Sequence, residues 1–213
     1  MASKFWSGMV GRRKFLKWSH LAVLGAGVAI GVGSVPLLRP RKLRLRPPGA
    51  LKEDEFLATC IKCGQCLQVC PPQIVWLGDL GEGFGVGTPH IDARTGGCIL
   101  CPGLPCVLAC PTGALEHTLT EGKDAEMGWA VLSKPETCLA MLGKDCRICL
   151  EKCPIKEQAP IVFQRHTHPD GRVYHEPVVQ NTCVGCGKCE QECPTAPASI
   201  TITPRLRPKG VAA

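Results

Sequence analysis

The sequence predicts an α+β fold of small, short-stranded sheets and short helices wrapped around compact cysteine loops, and three observations predict it. Sixteen cysteines among 213 residues fall into four groups of four. Strand-like runs of four to seven residues lie between the groups. A basic, acid-free N-terminal stretch precedes them all.

The last cysteine of every group is followed at once by proline: Cys70-Pro71, Cys110-Pro111, Cys153-Pro154 and Cys193-Pro194. The first group, Cys60, Cys63, Cys66 and Cys70, and the fourth, Cys183, Cys186, Cys189 and Cys193, share the spacing C-x2-C-x2-C-x3-C-P found in bacterial ferredoxins. The second group, Cys98, Cys101, Cys106 and Cys110, widens the middle gap to four residues. The third, Cys138, Cys146, Cys149 and Cys153, widens the first gap to seven.

Short gaps let one curled loop present three thiolates to three irons of a cubane, and thiolates are the soft ligands that iron–sulfur cores select. The fourth cysteine is expected where the loop turns into a helix, so that it ligates the neighbouring cluster, with the following proline at the first helical position. The recurrence, with a period of roughly 40 residues, therefore predicts four 4Fe-4S clusters in two ferredoxin-like units. All sixteen cysteines are the metal ligands.

Zinc would use two CxxC pairs separated by a long loop rather than compact runs of four. Disulfides suit neither the dense triplets nor their geometry. Covalent c-type haem is excluded because no CxxC is followed by His.

A short helix is expected over Leu51 to Thr59, leading into the first loop. Strands are expected at Ile74 to Leu77, Pro89 to Asp92, Ala114 to Leu119, Trp129 to Ser133, Ile161 to Gln164, Val173 to Val179 and Ser199 to Thr203. Turns fall at Gly81 to Gly87 and at His168-Pro169-Asp170-Gly171. The glycines from Gly81 to Gly87 lack the strand–helix context of a nucleotide fingerprint and read as a hairpin loop. His166, His168 and His175 flank the other hairpin as surface residues. No Ser, His and Asp arrangement or carboxylate pair marks a substrate-converting site.

Large apolar residues are few outside the N-terminus, the aromatics of the body being Phe56, Trp76, Phe84, Trp129, Phe163 and Tyr174. Such a chain builds only a small conventional core. The clusters are expected to take its place, so that folding depends on them.

Net charge is +7, yet residues 1–50 hold ten basic side chains and no acid, which leaves the remainder at about −3. Each cubane with four thiolates adds about −2. An acidic holo-body argues against nucleic acid as a partner, and the basic N-terminus suits an anionic membrane surface or an export signal.

Gly11-Arg12-Arg13-Lys14-Phe15-Leu16-Lys17 resembles the twin-arginine signal S/T-R-R-x-F-L-K, departing at Gly11. The apolar run Leu21 to Leu38 follows it, near the lower length limit for spanning a bilayer and without a clean A-x-A site after it. Residues 1–38 therefore read as a twin-arginine signal or an uncleaved N-terminal anchor helix, 39–50 as a basic, proline-rich extended linker, and 51–213 as the four-cluster domain. The expected location is periplasmic, and a folded, loaded protein exported whole avoids disulfide formation on the way.

The segment Cys98-Ile-Leu-Cys101-Pro-Gly-Leu-Pro-Cys106-Val-Leu-Ala-Cys110-Pro-Thr-Gly-Ala114 resembles the second cluster loop of four-cluster electron-transfer subunits of molybdenum oxidoreductases. With the twin-arginine start, nearly the whole chain is similar to the NapG/MauM ferredoxin-type family. The resemblance implies a periplasmic electron carrier beside a polytopic membrane iron–sulfur protein of NapH type, passing electrons from quinol toward a periplasmic nitrate reductase or a c-type cytochrome. The alternatives are the electron-transfer subunit of another exported oxidoreductase, the methylamine system included, and a maturation factor.

Spacing alone leaves the sharing of the fourth cysteines open. In a nested arrangement Cys60, Cys63 and Cys66 take Cys193, and in a tandem one they take Cys110. Similarity to the molybdenum-enzyme subunits favours nesting.

Overall fold

The structure is a computed structural model that describes residues 43–169 and 171–205. The twin-arginine motif, the apolar run Leu21 to Leu38 and the start of the expected linker lie outside those residues. The described residues 43–81 and 85–205 belong to one compact unit that holds every cysteine.

Among the described residues, eleven α-helices and β-strands follow in order: α1 (Glu53–Thr59), α2 (Gln65–Gln68), β1 (Val75–Leu77), β2 (Pro89–Ile91), α3 (Pro105–Leu108), β3 (Gly128–Leu132), α4 (Ile148–Glu151), β4 (Ile161–Thr167), β5 (Val173–Val179), α5 (Lys188–Gln191) and β6 (Ile200–Pro204). Helix α1 begins with Glu53, Asp54 and Glu55, whose negative charges suit the positive end of the helix dipole, and it buries Phe56 completely. Its last turn delivers Cys60, whose amide caps the helix by donating to the Phe56 carbonyl at 2.9 Å.

Three antiparallel two-stranded sheets result, pairing β1 with β2, β3 with β6 and β4 with β5. Their order reveals one plan used twice. In residues 43–119 the hairpin β1–β2 sits between the first two cysteine loops, and an outer pair brackets both loops as a single bridge from Ala50 to Leu115. In residues 128–205 the hairpin β4–β5 sits between the last two loops, and the outer pair is β3–β6, five residues in register from Gly128↔Pro204 to Leu132↔Ile200. We call these halves A and B.

The expected strand Ala114 to Leu119 is thus reduced to one bridge. Its partner segment contains Pro47 and Pro48, which have no amide to donate, so the ladder cannot extend. Only Glu116 N to Gly49 O at 2.7 Å and Leu51 N to Ala114 O at 3.0 Å form. A turn closing on Leu119 then ends the run.

Residues 43–47 run without helix, Pro48 and Gly49 form a turn, and the segment to Ala50 is packed down as a strap. Leu45 bridges to Ile91, and Leu45, Arg46, Pro47, Pro48 and Ala50 are buried. Arg46 explains how a charge is accommodated there. Its guanidinium donates to both Glu53 oxygens at 2.6 and 3.0 Å, to Thr88 Oγ1 at 2.9 Å and to the Pro89 carbonyl at 2.7 Å, and it lies 4.8 Å from the centre of the Phe56 ring. A buried charge needs this density of partners.

The halves meet where Cys98 N donates to Cys186 O at 2.7 Å, and Met127, in the segment between them, donates its amide to Val184 O at 3.0 Å. Within half B, Gly185 has φ +70°, and a Cβ there would fall 2.2 Å from the Gly128 backbone, so only glycine permits that approach. From the end of β2, Arg94 reaches the carbonyls of Glu190, Cys193 and Thr195 at 2.8 to 3.0 Å. One core of buried residues centres on Phe56, Leu104, Val107 and Leu115, and a smaller one on Ala130, Ile161, Cys189 and Ile200. Cysteines are members of both, in keeping with a core completed by the sulfur loops.

Candidate metal centre

Each cysteine loop has the same local build. The first two thiols lie on irregular backbone and the third on a one-turn helix: Cys66 on α2, Cys106 on α3, Cys149 on α4 and Cys189 on α5. The fourth thiol follows that helix. This corrects the expectation that the fourth cysteine opens a helix. The x3 gap is itself the helical turn, and the proline after the fourth cysteine stands where a helix must stop.

The curl of the loops is visible in left-handed residues. Lys62 and Gly64 supply it in the first loop, Leu100, Gly103 and Leu104 in the second, and Gly185 and Gly187 in the fourth. Three of these seven are bulky L-residues at positive φ, a strained state held by the surrounding packing. The third loop absorbs its seven-residue gap as a folded turn. Leu142 N donates to Cys138 O and Lys144 N to Leu139 O, and the buried Ala140 accepts from His175 N of β5 at 3.0 Å. The gap therefore leaves Cys138 and Cys146 facing the same space.

All sixteen cysteines are free thiols. Their mutual influence and placement show which loops neighbour one another. Burial pushes the Cys66 pKa up to about 12, and the charges of Cys106, Cys60, Cys110 and Cys63 add to it. Burial likewise raises Cys98 to about 12 and Cys106 to about 11, and both feel Cys70. So Cys110 stands with the first loop and Cys70 with the second.

In half B, Cys186 is raised to about 12 by burial and then by Cys153, Cys98 and Cys183, while Cys189 is pushed far above its ordinary value. Cys153 thus joins the fourth loop. Cys138, Cys146, Cys149 and Cys193 line one apolar pocket with Leu132, Phe163 and Ile200. Each fourth cysteine thus lies beside the thiols of the other loop of its own half. That placement is the tandem one, where similarity to molybdenum-enzyme subunits favoured nesting. The reason lies in topology: β1–β2 and β4–β5 each fold consecutive loops against one another, and β6 returns to β3 rather than to half A.

Among the described residues no three His, Cys, Asp or Glu side chains converge on a point as they would around a single metal ion. Cys138, Cys146, Cys149 and Cys193 instead line a common pocket. Thiols in buried positions repel one another when charged. As thiolates they need a positively charged core of several metals between them, and an iron–sulfur cubane fits that donor set. When bound, such a cluster supplies one-electron chemistry.

Two thiols differ. Burial pushes Cys110 up, but hydrogen bonds from Leu115 and Thr112 outweigh it, and its pKa lies below the usual value. The same balance, with Thr195, Ser199 and Ile200 as donors, lowers Cys193. These donors escaped the sequence reading, although the signal was present: loops two and four continue Cys-Pro-Thr, whereas loops one and three continue Cys-Pro-Pro and Cys-Pro-Ile. His117 Nε2 lies 2.9 Å from the Cys110 carbonyl, while the hairpin histidines stand apart from the thiols. His166 stacks on Tyr174 at 5.2 Å and pairs with Glu176 on the β4–β5 hairpin, where His166 and His175 are strand residues.

Loops, exchange of fourth cysteines and sulfur-rich interiors define a ferredoxin-type 4Fe-4S electron-transfer protein. Residues 59–114 match a 4Fe-4S dicluster domain, and residues 180–196 match a 4Fe-4S binding domain. The chain is 42% identical over 192 residues to the methylamine utilization ferredoxin-type protein MauM of Methylophilus methylotrophus, covering 88% of this chain and 84% of that one. It is 38% identical over 205 residues to the ferredoxin-type protein NapG of Escherichia coli K12, covering 94% and 88%. MauM of Paracoccus denitrificans gives 39% over 206 residues, with 92% and 91% covered. The chain belongs to the NapG/MauM ferredoxin-type family. No solved structure matches it.

Proposed function

We propose that the chain carries four 4Fe-4S clusters in an unbroken line and relays electrons from a membrane quinol dehydrogenase of NapH type toward a periplasmic reductase, such as nitrate reductase, directly or through a c-type cytochrome. The observation that carries this reading is the adjacency of the four thiol sets. Exchange of Cys70 and Cys110 couples the first two, exchange of Cys153 and Cys193 couples the last two, and the bond from Cys98 N to Cys186 O joins the halves. The order along the line is loop one, loop two, loop four, loop three. Cys63 is the one exposed thiol of the sixteen, which makes loop one an end where a partner can approach.

Export by the twin-arginine route to the periplasm, with the apolar run as signal or anchor, belongs to the same proposal. Among the described residues no helix is long and apolar enough to cross a membrane, and Leu21 to Leu38 lies outside them.

The test is physiological. A strain lacking the gene should lose quinol-dependent nitrate reduction while an artificial donor still drives the reductase, and unchanged quinol-dependent rates would refute the nitrate assignment. The similarity to MauM supports a second reading, service to methylamine oxidation. That reading predicts loss of growth on methylamine with nitrate reduction intact. Replacing Arg12 and Arg13 together by Lys should hold the loaded protein in the cytoplasm, and normal export of that variant would refute the localisation.

A further inference from the structure

We propose that Thr195 sets the redox potential of the iron–sulfur cluster that Cys193 helps to hold, with Ser199 and Thr137 acting through it. The inference rests on cluster ligation by Cys193 and goes beyond it, since ligation alone assigns no role to a hydroxyl.

Thr195 Oγ1 lies 3.2 Å from Cys193 Sγ. Behind it stands a chain of hydroxyls. Ser199 Oγ is 2.8 Å from Thr195 Oγ1, Thr137 Oγ1 is 2.8 Å from Ser199 Oγ, and Thr137 Oγ1 is 3.2 Å from the Lys134 carbonyl. The Ser199 amide donates both to Thr195 Oγ1 at 2.9 Å and to Cys193 Sγ at 3.4 Å. Ser199 is buried, so water does not substitute for these partners.

Each hydroxyl has one proton to give. The protons can run from Thr195 through Ser199 and Thr137 to the Lys134 carbonyl, or from Thr137 through Ser199 and Thr195 to the sulfur. A cluster-bound thiolate is an anionic acceptor and selects the second direction, in which each bond polarises the next. Reduction adds negative charge that is shared with the ligand sulfurs. Donors aimed at those sulfurs stabilise the reduced form more than the oxidised one and raise the potential.

The other loops form an internal series. Thr112 occupies the equivalent place after Cys110 but stands 3.8 Å from its sulfur, and the position matching Ser199 is Glu116. After Cys70 and Cys153 the same place holds Pro72 and Ile155, which have no hydroxyl. Arg94, bound to the carbonyls of Cys193 and Thr195, fixes the turn that aims Thr195. Thr195 is thus a positioned donor whose influence biases the line toward its loop-three end.

The experiment is an anaerobic redox titration of the full-length holoprotein, followed by EPR, with iron counted in each preparation. Thr195→Val should keep its iron, lower the midpoint of one cluster by the equivalent of about tenfold in its reduction equilibrium, 59 mV for one electron, and leave the others in place. Thr195→Ser should restore the midpoint. Ser199→Ala should lower the same midpoint by less, and Thr112→Val should move a different cluster by less. A fully loaded Thr195→Val protein with every midpoint unmoved overturns the inference. Should that variant fail to load, unmoved midpoints in loaded Ser199→Ala overturn it equally. An iron-free wild-type preparation would instead overturn the cluster reading itself.

Discussion

Halves A and B run the same plan with different means of support. Half B closes its loops with a five-residue outer ladder and a seven-residue hairpin, whereas half A has one outer bridge and a three-residue hairpin. Half A compensates with side chains: the strap from Leu45 to Ala50 crosses it, and Arg46 gathers Glu53, Thr88, Pro89 and Phe56 around one buried charge. The contrast teaches that a cluster-binding repeat is defined by its loops. The strands are interchangeable means of bringing two loops face to face.

The comparison breaks most visibly when iron is removed. Anaerobic chelation should unfold half A outright, while hydrogen exchange finds residual protection in β3–β6 and β4–β5 of half B. Equal loss of protection in both halves would mean that the longer ladders contribute nothing on their own. Next in size is Cys110→Ser. Tandem exchange predicts that it disturbs the loop-one cluster, with a loss of up to about four irons per chain, and leaves the EPR signals of half B in place. Disturbance of the loop-three cluster instead would restore the nested alternative.

A third variant tests the strap. Arg46→Met leaves Glu53 beside an uncompensated site and should cost half A about 3–5 kcal/mol, seen as earlier denaturant unfolding of half A and release of its clusters, with half B unmoved. Smallest is Glu176→Gln, which removes a partly exposed partner of His166 on the β4–β5 hairpin. It should change the unfolding midpoint by the equivalent of less than about 1 kcal/mol. A larger effect would mark that pair as structural in half B.

Much of this was legible in the residues. The sixteen cysteines, the repeat, the helix before Cys60 and six of the seven expected strands follow from spacing and alternation, because thiol loops and short strands leave local signatures. The pairing of loops did not follow, since it depends on which strands close upon each other, and Leu115 meeting Ala50 is a contact between residues 65 positions apart. The strap was hidden for a related reason. Basic and proline-rich composition resembles a solvated linker, and only the fold brings Glu53 and Thr88 to Arg46. The end of each loop was misread because Cys-Pro suits the start of a helix as well as its stop.

The strap at Leu45 to Pro48 has a consequence for reach. Only seven peptide steps separate Leu38, the end of the apolar run, from Leu45, and fully stretched they span at most about 25 Å. Where the leader is retained in a bilayer, the electron carrier is leashed rather than free to roam. Its docking partner must then sit within a domain's width of the membrane face.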